Sequence, residues 1–322
     1  MAQIRIRLDP WPAEYESSFQ IEEFEQESGA KIDTAVEGIG WEPVEAGAFS
    51  KPEQIFFVDG VRRIEARVIV DDDSGQIIRG LFGSIAFGAV RVEQSVATFE
   101  ELRVKRFLIF GNGISADAET LRIGNTDLVF EPGSVPENGP IAPLSGLQNL
   151  MRAEEAALAE TLAKESACVF ADGPLTYFSG VKQTSIGVIK RLVEPYLSEA
   201  HFKLVRLLRT GQRTPLFIIT KGKYDRYSWY LRVGNPRLMD HDVAGVLRLE
   251  VRSGMGLAGA IELANVSAGC IPAFVGEWFR DPRSPQNLLP VGSLEQELRH
   301  RLGDALSIRR AIEMKLFSAS ES

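Results

Sequence analysis

The sequence predicts an α/β protein, a mixed sheet flanked by helices, with an acidic arm at its N-terminus. Three observations carry this reading. Ile55-Phe56-Phe57-Val58 is an apolar run leading into Asp59-Gly60, as a strand buried on both faces does. Cys168-Val169-Phe170-Ala171 repeats the pattern and leads into Asp172-Gly173. Between the two, Leu147 to Ser166 holds strong helix formers, with apolar residues at Leu147, Leu150, Met151, Leu158 and Leu162 forming a helical stripe.

In chain order, Ile4–Leu8 alternates as a short strand and Asp9-Pro10-Trp11-Pro12 stops it. Residues 1–50 read as an acidic, turn-rich arm, docked on the core or on a second subunit, and 51–322 as one domain. After the apolar run, Val61–Val70 alternates as its hairpin partner, and Asp71-Asp72-Asp73-Ser74-Gly75 reads as a solvated turn. Strand-like text covers Gln76–Glu93 and Leu102–Phe110, and Gly124–Pro143 reads as loop. Ser145 is the expected N-cap of the helix that follows. Beyond Asp172, a short apolar run ends in Lys190-Arg191, and His201–Arg209 is a basic helical stretch. Further strands are expected over Thr214–Thr220, Tyr227–Val233, Leu247–Val251 and Cys270–Gly276, and a closing helical region over Leu294–Phe317.

The 322 residues, 44% of them apolar, can bury a substantial core. No continuous apolar run reaches the length of a membrane span, and Met1–Leu8 lacks the apolar region of an export signal. Two cysteines without a CxxC, and three scattered histidines, give neither a disulfide framework nor a zinc site. A reduced, cytoplasmic protein that does not enter membranes is expected.

The net charge of −8 hides an asymmetry. Residues 1–60 carry 13 acids against 4 Lys/Arg, a net of −9, whereas residues 182–237 carry 12 Lys/Arg against 3 acids, a net of +9. The basic segment suits a polyanion path, with Lys190 and Arg191 as its first contacts. Its aromatics, Tyr224, Tyr227, Trp229 and Tyr230, suit base stacking or an ordinary amphipathic sheet equally well.

An acid at the end of a buried strand is costly to desolvate unless something pairs with it. Asp59 and Asp172 delivered to the same sheet edge would suit a divalent cation, with Glu154 or Glu155 of the intervening helix as a third donor. Both Asp-Gly pairs as turns is the competing reading.

Strands with an acid on the first, a helix with an acid, then a strand with an acid is the order of the ribonuclease H-like fold. The chain resembles the NurA nucleases, which work with the hexameric HerA DNA translocase in end resection. The resemblance rests on Val58-Asp59-Gly60, the Glu-bearing helix, Ala171-Asp172-Gly173-Pro174-Leu175, Gly187–Arg191 and Pro285–Pro290. It implies catalytic and metal-binding roles for Asp59, Glu155 (with Glu154 as fallback) and Asp172, and Mn²⁺ or Mg²⁺ as cofactor. It also implies DNA as substrate, a homodimer, and a HerA-type ATPase as partner, since this chain has no GxxxxGK[ST] segment. The Tyr and His near the C-terminus of archaeal members are replaced by Ser284 and Gly292. Glu295 or Asp281 could supply that fourth ligand, whereas His300 comes several residues too late.

Two other classes remain open. One is a catalytically inactive ribonuclease H-like binding or assembly module. The other, a phosphotransferase with an aspartate nucleophile, would want an Asp two residues on, where Val61 and Pro174 stand.

Overall fold

The computed structural model describes residues 6–8, 29–71, 75–163, 168–180, 184–190, 196–222 and 224–320. The fold is mixed α/β, and its axis is the strand that begins with the Phe56-Phe57 run. That run does not end at Asp59. Strand β3 (Gln54–Asp71) continues through Asp59-Gly60 for 18 residues, with a register shift between Ile64 and Ala66. Asp59-Gly60 is therefore extended chain and not a turn. The alternation of Val61–Val70 continues the same strand, and its antiparallel partner is β4 (Ile77–Glu93). Alternation alone cannot tell a hairpin return from a longer strand, which is why the sequence suggested the former.

Strand β1 (Ile6–Leu8) lies antiparallel on Val68–Val70, and β2 (Lys31–Asp33) forms one edge of the sheet. Beyond β4 come β5 (Val96–Phe110), β6 (Glu119–Ile123) and β7 (Thr126–Ser134). The last two lie in text read as loop or left unassigned; Phe130 holds β7 by an edge contact with Phe82 at 5.1 Å between ring centres. Helix α1 (Ala142–Ala163) starts a turn earlier than expected, so Ser145 lies inside it and is not its cap. Then follow β8 (Cys168–Asp172), β9 (Ser185–Ile189), α2 (Glu199–Leu207), β10 (Phe217–Thr220), β11 (Arg226–Arg232) and β12 (Val246–Arg252). The described strands join one sheet in the order β2-β10-β11-β12-β9-β8-β3-β4-β5-β7-β6, with β1 on β3.

Helix α3 (Leu257–Cys270) carried no sequence signal, because its small and apolar residues lie all round it and give no single stripe. It continues as a 3-10 turn over Ile271–Phe274, where a strand was expected. Leu257–Phe274 is long and apolar enough to cross a membrane by length and composition. Here Ala260, Leu263, Ala264, Val266 and Ala268 of that stretch join the core against β11 and β12. Helices α4 (Leu289–Arg301) and α5 (Ala305–Ser320) divide the closing region, and Asp304 caps α5 by accepting from the Ser307 amide at 2.8 Å.

The acidic and basic segments meet within the chain. β2 pairs with β10, and Glu37 receives both terminal nitrogens of the buried Arg213, at 2.9 and 2.8 Å. Arg226 pairs with Glu250, and Arg232 donates to the carbonyls of Asp242 and Ala244. Three arginines of the basic segment thus lie inside, two of them compensated by an acid.

Candidate active site

Alternation along β3 sorts the site's residues by face. Phe57 and Val61 point toward α3 and α4, while Phe56 and Val58 point toward α1. Asp59 shares the α4 face and Gly60 the α1 face. Strand β8 runs parallel beside β3 with Val58 opposite Ala171, and it ends at Asp172. Asp172 therefore emerges next to Asp59 on the same face, where the parallel ladder stops. Gly173 has φ +89°, a left-handed conformation in which a side chain would be strained, and it turns the chain away there.

Asp59 is 3% exposed. One carboxylate oxygen accepts from the Gly60 amide at 2.8 Å, and the other, Oδ2, is buried with no hydrogen-bond partner. Burial pushes its pKa well above the ordinary carboxylate range. Asp172, Glu155 and Glu295 push it the same way, and Lys190 opposes them. Three further acids thus lie near enough to Asp59 to raise its pKa.

Helix α1 brings Glu155 to the gap beyond the end of β8, from the opposite face. Its carboxylate lies where a side chain of Gly60 would be: a Cβ there would collide with Glu155 Oε1 and come within 3.1 Å of Met151 Cγ. Gly60→Ala should displace this glutamate and cost about 1–3 kcal/mol, read as a lower urea midpoint. Glu154, the adjacent alternative, faces away and pairs with Lys105 at 2.6 Å.

Two cations lie among the acids, and sequence reasoning missed both roles. The Arg152 guanidinium donates to Glu155 at 2.9 Å and to the Asp172 carbonyl at 2.7 Å. Burial would lower its pKa, but Glu155, Asp172 and Asp59 outweigh that and raise it. Lys190 follows β9 immediately, and its ammonium is 3.0 Å from Asp172 Oδ1 and 2.8 Å from Asn287 Oδ1. The same contest, burial against Asp172 and Asp59, leaves its pKa raised. Lys190 thus stands within the acid cluster, while Arg191 lies outside the described residues. The spacing of Arg152, three residues before Glu155 and one turn of helix away, was the available signal.

Asn287 links the cluster to Asp281, whose Oδ2 it reaches at 2.8 Å. Burial pushes the Asp281 pKa up, but hydrogen bonds from Arg283 and Asn287 prevail and bring it down to about 2. Arg283 also holds Glu295, at 2.8 Å. The two residues considered as fourth ligands are therefore tied to one arginine. Gly292 lies beside this network, near Asn287 and Asp281, and His300 is exposed on α4.

Glu250 supports the site from β12 and was likewise missed. Fully buried, it accepts from Arg226 Nε at 3.1 Å, Arg248 at 2.7 Å, the Leu175 amide at 3.1 Å and the Tyr224 hydroxyl. It so anchors the segment that follows Asp172. Trp229 and Tyr230 are buried and offer no stacking surface.

Hard carboxylate oxygens, one of them unpartnered, suit a hard divalent cation. Among the described residues, however, no three His, Cys, Asp or Glu side chains converge as a metal-holding group. The side chains come from both faces of the sheet, and Arg152 and Lys190 stand between them.

No protein-family model matches the chain, and neither does any curated protein. Among solved structures, the chain is similar to the NurA nuclease from Sulfolobus solfataricus, with a TM-score of 0.47 and 11% identity over 89% of this chain and 90% of that one. Human ENDOV matches with a TM-score of 0.36 and 15% identity, over 87% of this chain and 96% of that one. The catalytic domain of human Endonuclease V matches with a TM-score of 0.32 and 16% identity, over 85% and 95% of the two chains.

Proposed function

We propose that this chain is a divalent-metal-dependent deoxyribonuclease with a ribonuclease H-like core. The observation that carries the reading is Asp59: a buried carboxylate with an unpartnered oxygen, set beside Asp172 at the end of a parallel ladder. Leaving such a group unsatisfied costs stability, and a cation would relieve it. Asp59 and Asp172 would hold Mn²⁺ or Mg²⁺, with Glu155 and Glu295 as further donors. When bound, the ion supplies Lewis-acid polarisation of a phosphoryl oxygen and a more acidic water. Lys190 holds a positive charge at Asp172, where it can face a phosphate oxygen. Arg152 fixes the rotamer of Glu155 and the backbone at Asp172, so both acids are held before substrate arrives. The sequence resemblance extends the reading to a cytoplasmic homodimer that processes DNA ends, in repair or defence, with a HerA-type hexameric ATPase.

A second reading has its own support. Arg152 and Lys190 already balance acids of the cluster, and no three metal-binding groups converge among the described residues. That arrangement suits a nucleic-acid-binding or assembly module without catalytic activity. Labelled single- and double-stranded DNA incubated with Mn²⁺, Mg²⁺ or chelator separates the two. The expected result is cleavage with metal and none with chelator. DNA that is bound but left intact under every condition selects the inactive module.

A further inference from the structure

Of the stacking residues suggested by the sequence, Trp229 and Tyr230 are buried and Tyr224 and Tyr227 half-buried, yet the structure exposes a different aromatic pair. Trp278 is 54% exposed and Phe279 66% exposed, with their rings edge to face at 6.1 Å. Each ring carries a cation over its face. The Arg237 guanidinium, held on its other side by both carboxylate oxygens of Asp240 at 2.7 Å, lies 5.6 Å from the centre of Trp278, and that of Arg280 lies 5.9 Å from the centre of Phe279. Leu238 and Met239, next to Arg237, are also almost wholly exposed.

The patch stands at the edge of the carboxylate cluster. Phe279 is two residues before Asp281, which is joined through Asn287 to Lys190 and hence to Asp172. The loop carrying Arg237–Met239 is held to the same region, because the backbones of its flanking Gly234 and Gly245 lie against Pro285. Large exposed aromatics gain little from water, and each cation–π contact holds a ring in place with a positive charge beside it. Rings beside guanidinium groups are a combination that stacks unpaired bases, with Arg280 as the cation for a neighbouring phosphate.

We propose that Trp278 and Phe279, with Arg237 and Arg280, form a platform on which unpaired bases of single-stranded nucleic acid stack as the strand enters the carboxylate site. The proposal rests on the nuclease reading for the direction of the strand, though the platform can be tested without catalysis. A duplex keeps its bases stacked on one another, so the platform selects single strands or frayed ends.

The test is fluorescence anisotropy of a labelled oligothymidylate, and of a labelled duplex, titrated with the full chain in chelator so that nothing is cut. Trp278→Ala with Phe279→Ala should weaken the single-strand complex by on the order of tenfold or more. Duplex binding, carried by phosphate contacts, should change by less than about twofold. Trp278→Tyr with Phe279→Tyr should restore single-strand binding, since a stacking face returns. Unchanged single-strand affinity in the alanine variant overturns the platform. A wild-type chain that binds no single strand also overturns it, and the cleavage assay then decides separately whether the nuclease reading stands. Light scattering is read on the same samples. If the alanine variant dissociates into a smaller species, the patch is a contact between copies of the chain and the proposal fails.

Discussion

Asp59→Asn and Asp172→Asn should each lower metal-dependent DNA cleavage by more than about 100-fold, since even groups that only orient metal ligands contribute 10–100-fold. Their effects on stability should have opposite signs. Asp59 is buried with an unpartnered oxygen and a raised pKa, so an uncharged amide relieves the folded state. The gain comes from removing a charge that burial and the neighbouring acids penalise, since the amide still leaves a polar atom there, and it is read as a higher Tm. Asp172 instead compensates Lys190 at 3.0 Å, and its amide should lower Tm. Two variants equally inactive, one more stable and one less, would separate a ligand role from general damage. The pH dependence carries the same sign. A carboxyl whose pKa is raised on folding binds its proton more tightly in the native state, so its contribution to stability falls as pH rises from the ordinary carboxylate range toward the folded pKa. In metal-free buffer, wild type should lose stability relative to Asp59→Asn across that window.

Glu250→Ala should give a large loss of stability. It leaves Arg226 and Arg248 buried without their carboxylate, and removes the acceptor of the Leu175 amide. Breaking a buried ion pair by removing one partner costs about 3–5 kcal/mol, or about 4–7 °C in Tm for a chain of this length. Burial raises the pKa of Glu250, but Arg248 and Arg226 outweigh burial and leave it lowered. Its contribution is therefore present above the ordinary glutamate range and lost as pH falls through the folded pKa, opposite to Asp59. Cleavage should fall as well, because the Leu175 amide anchors the turn after Asp172. Glu250→Gln keeps an acceptor and should fall between wild type and Ala. Denaturant unfolding of the three proteins at neutral pH checks the order; an Ala variant as stable as wild type would remove Glu250 from this role.

The two Asp-bearing strands and the helix between them were legible because burial imposes long apolar runs and a periodic stripe. The pairing of β3 with β8 was legible only as a repeated pattern, since nothing local states that Val58 lies opposite Ala171. The resemblance placed the helix glutamate on Glu155 with Glu154 as fallback, but nothing local shows that the absence of a side chain at Gly60 makes room for it. Helix α3 escaped because a helix buried among apolar neighbours shows no stripe. The basic segment misled most. Charge counting records Arg213, Arg226 and Lys190 as surface, whereas each meets an acid distant in sequence, namely Glu37, Glu250 and Asp172.

Binding of Mn²⁺ itself, measured by calorimetry on wild type, Asp59→Asn and Asp172→Asn without nucleic acid, tests most directly whether the acid cluster holds a metal. Saturable binding by wild type that is lost in both variants is the expected result. Equal binding by all three proteins, or none by wild type, would contradict it.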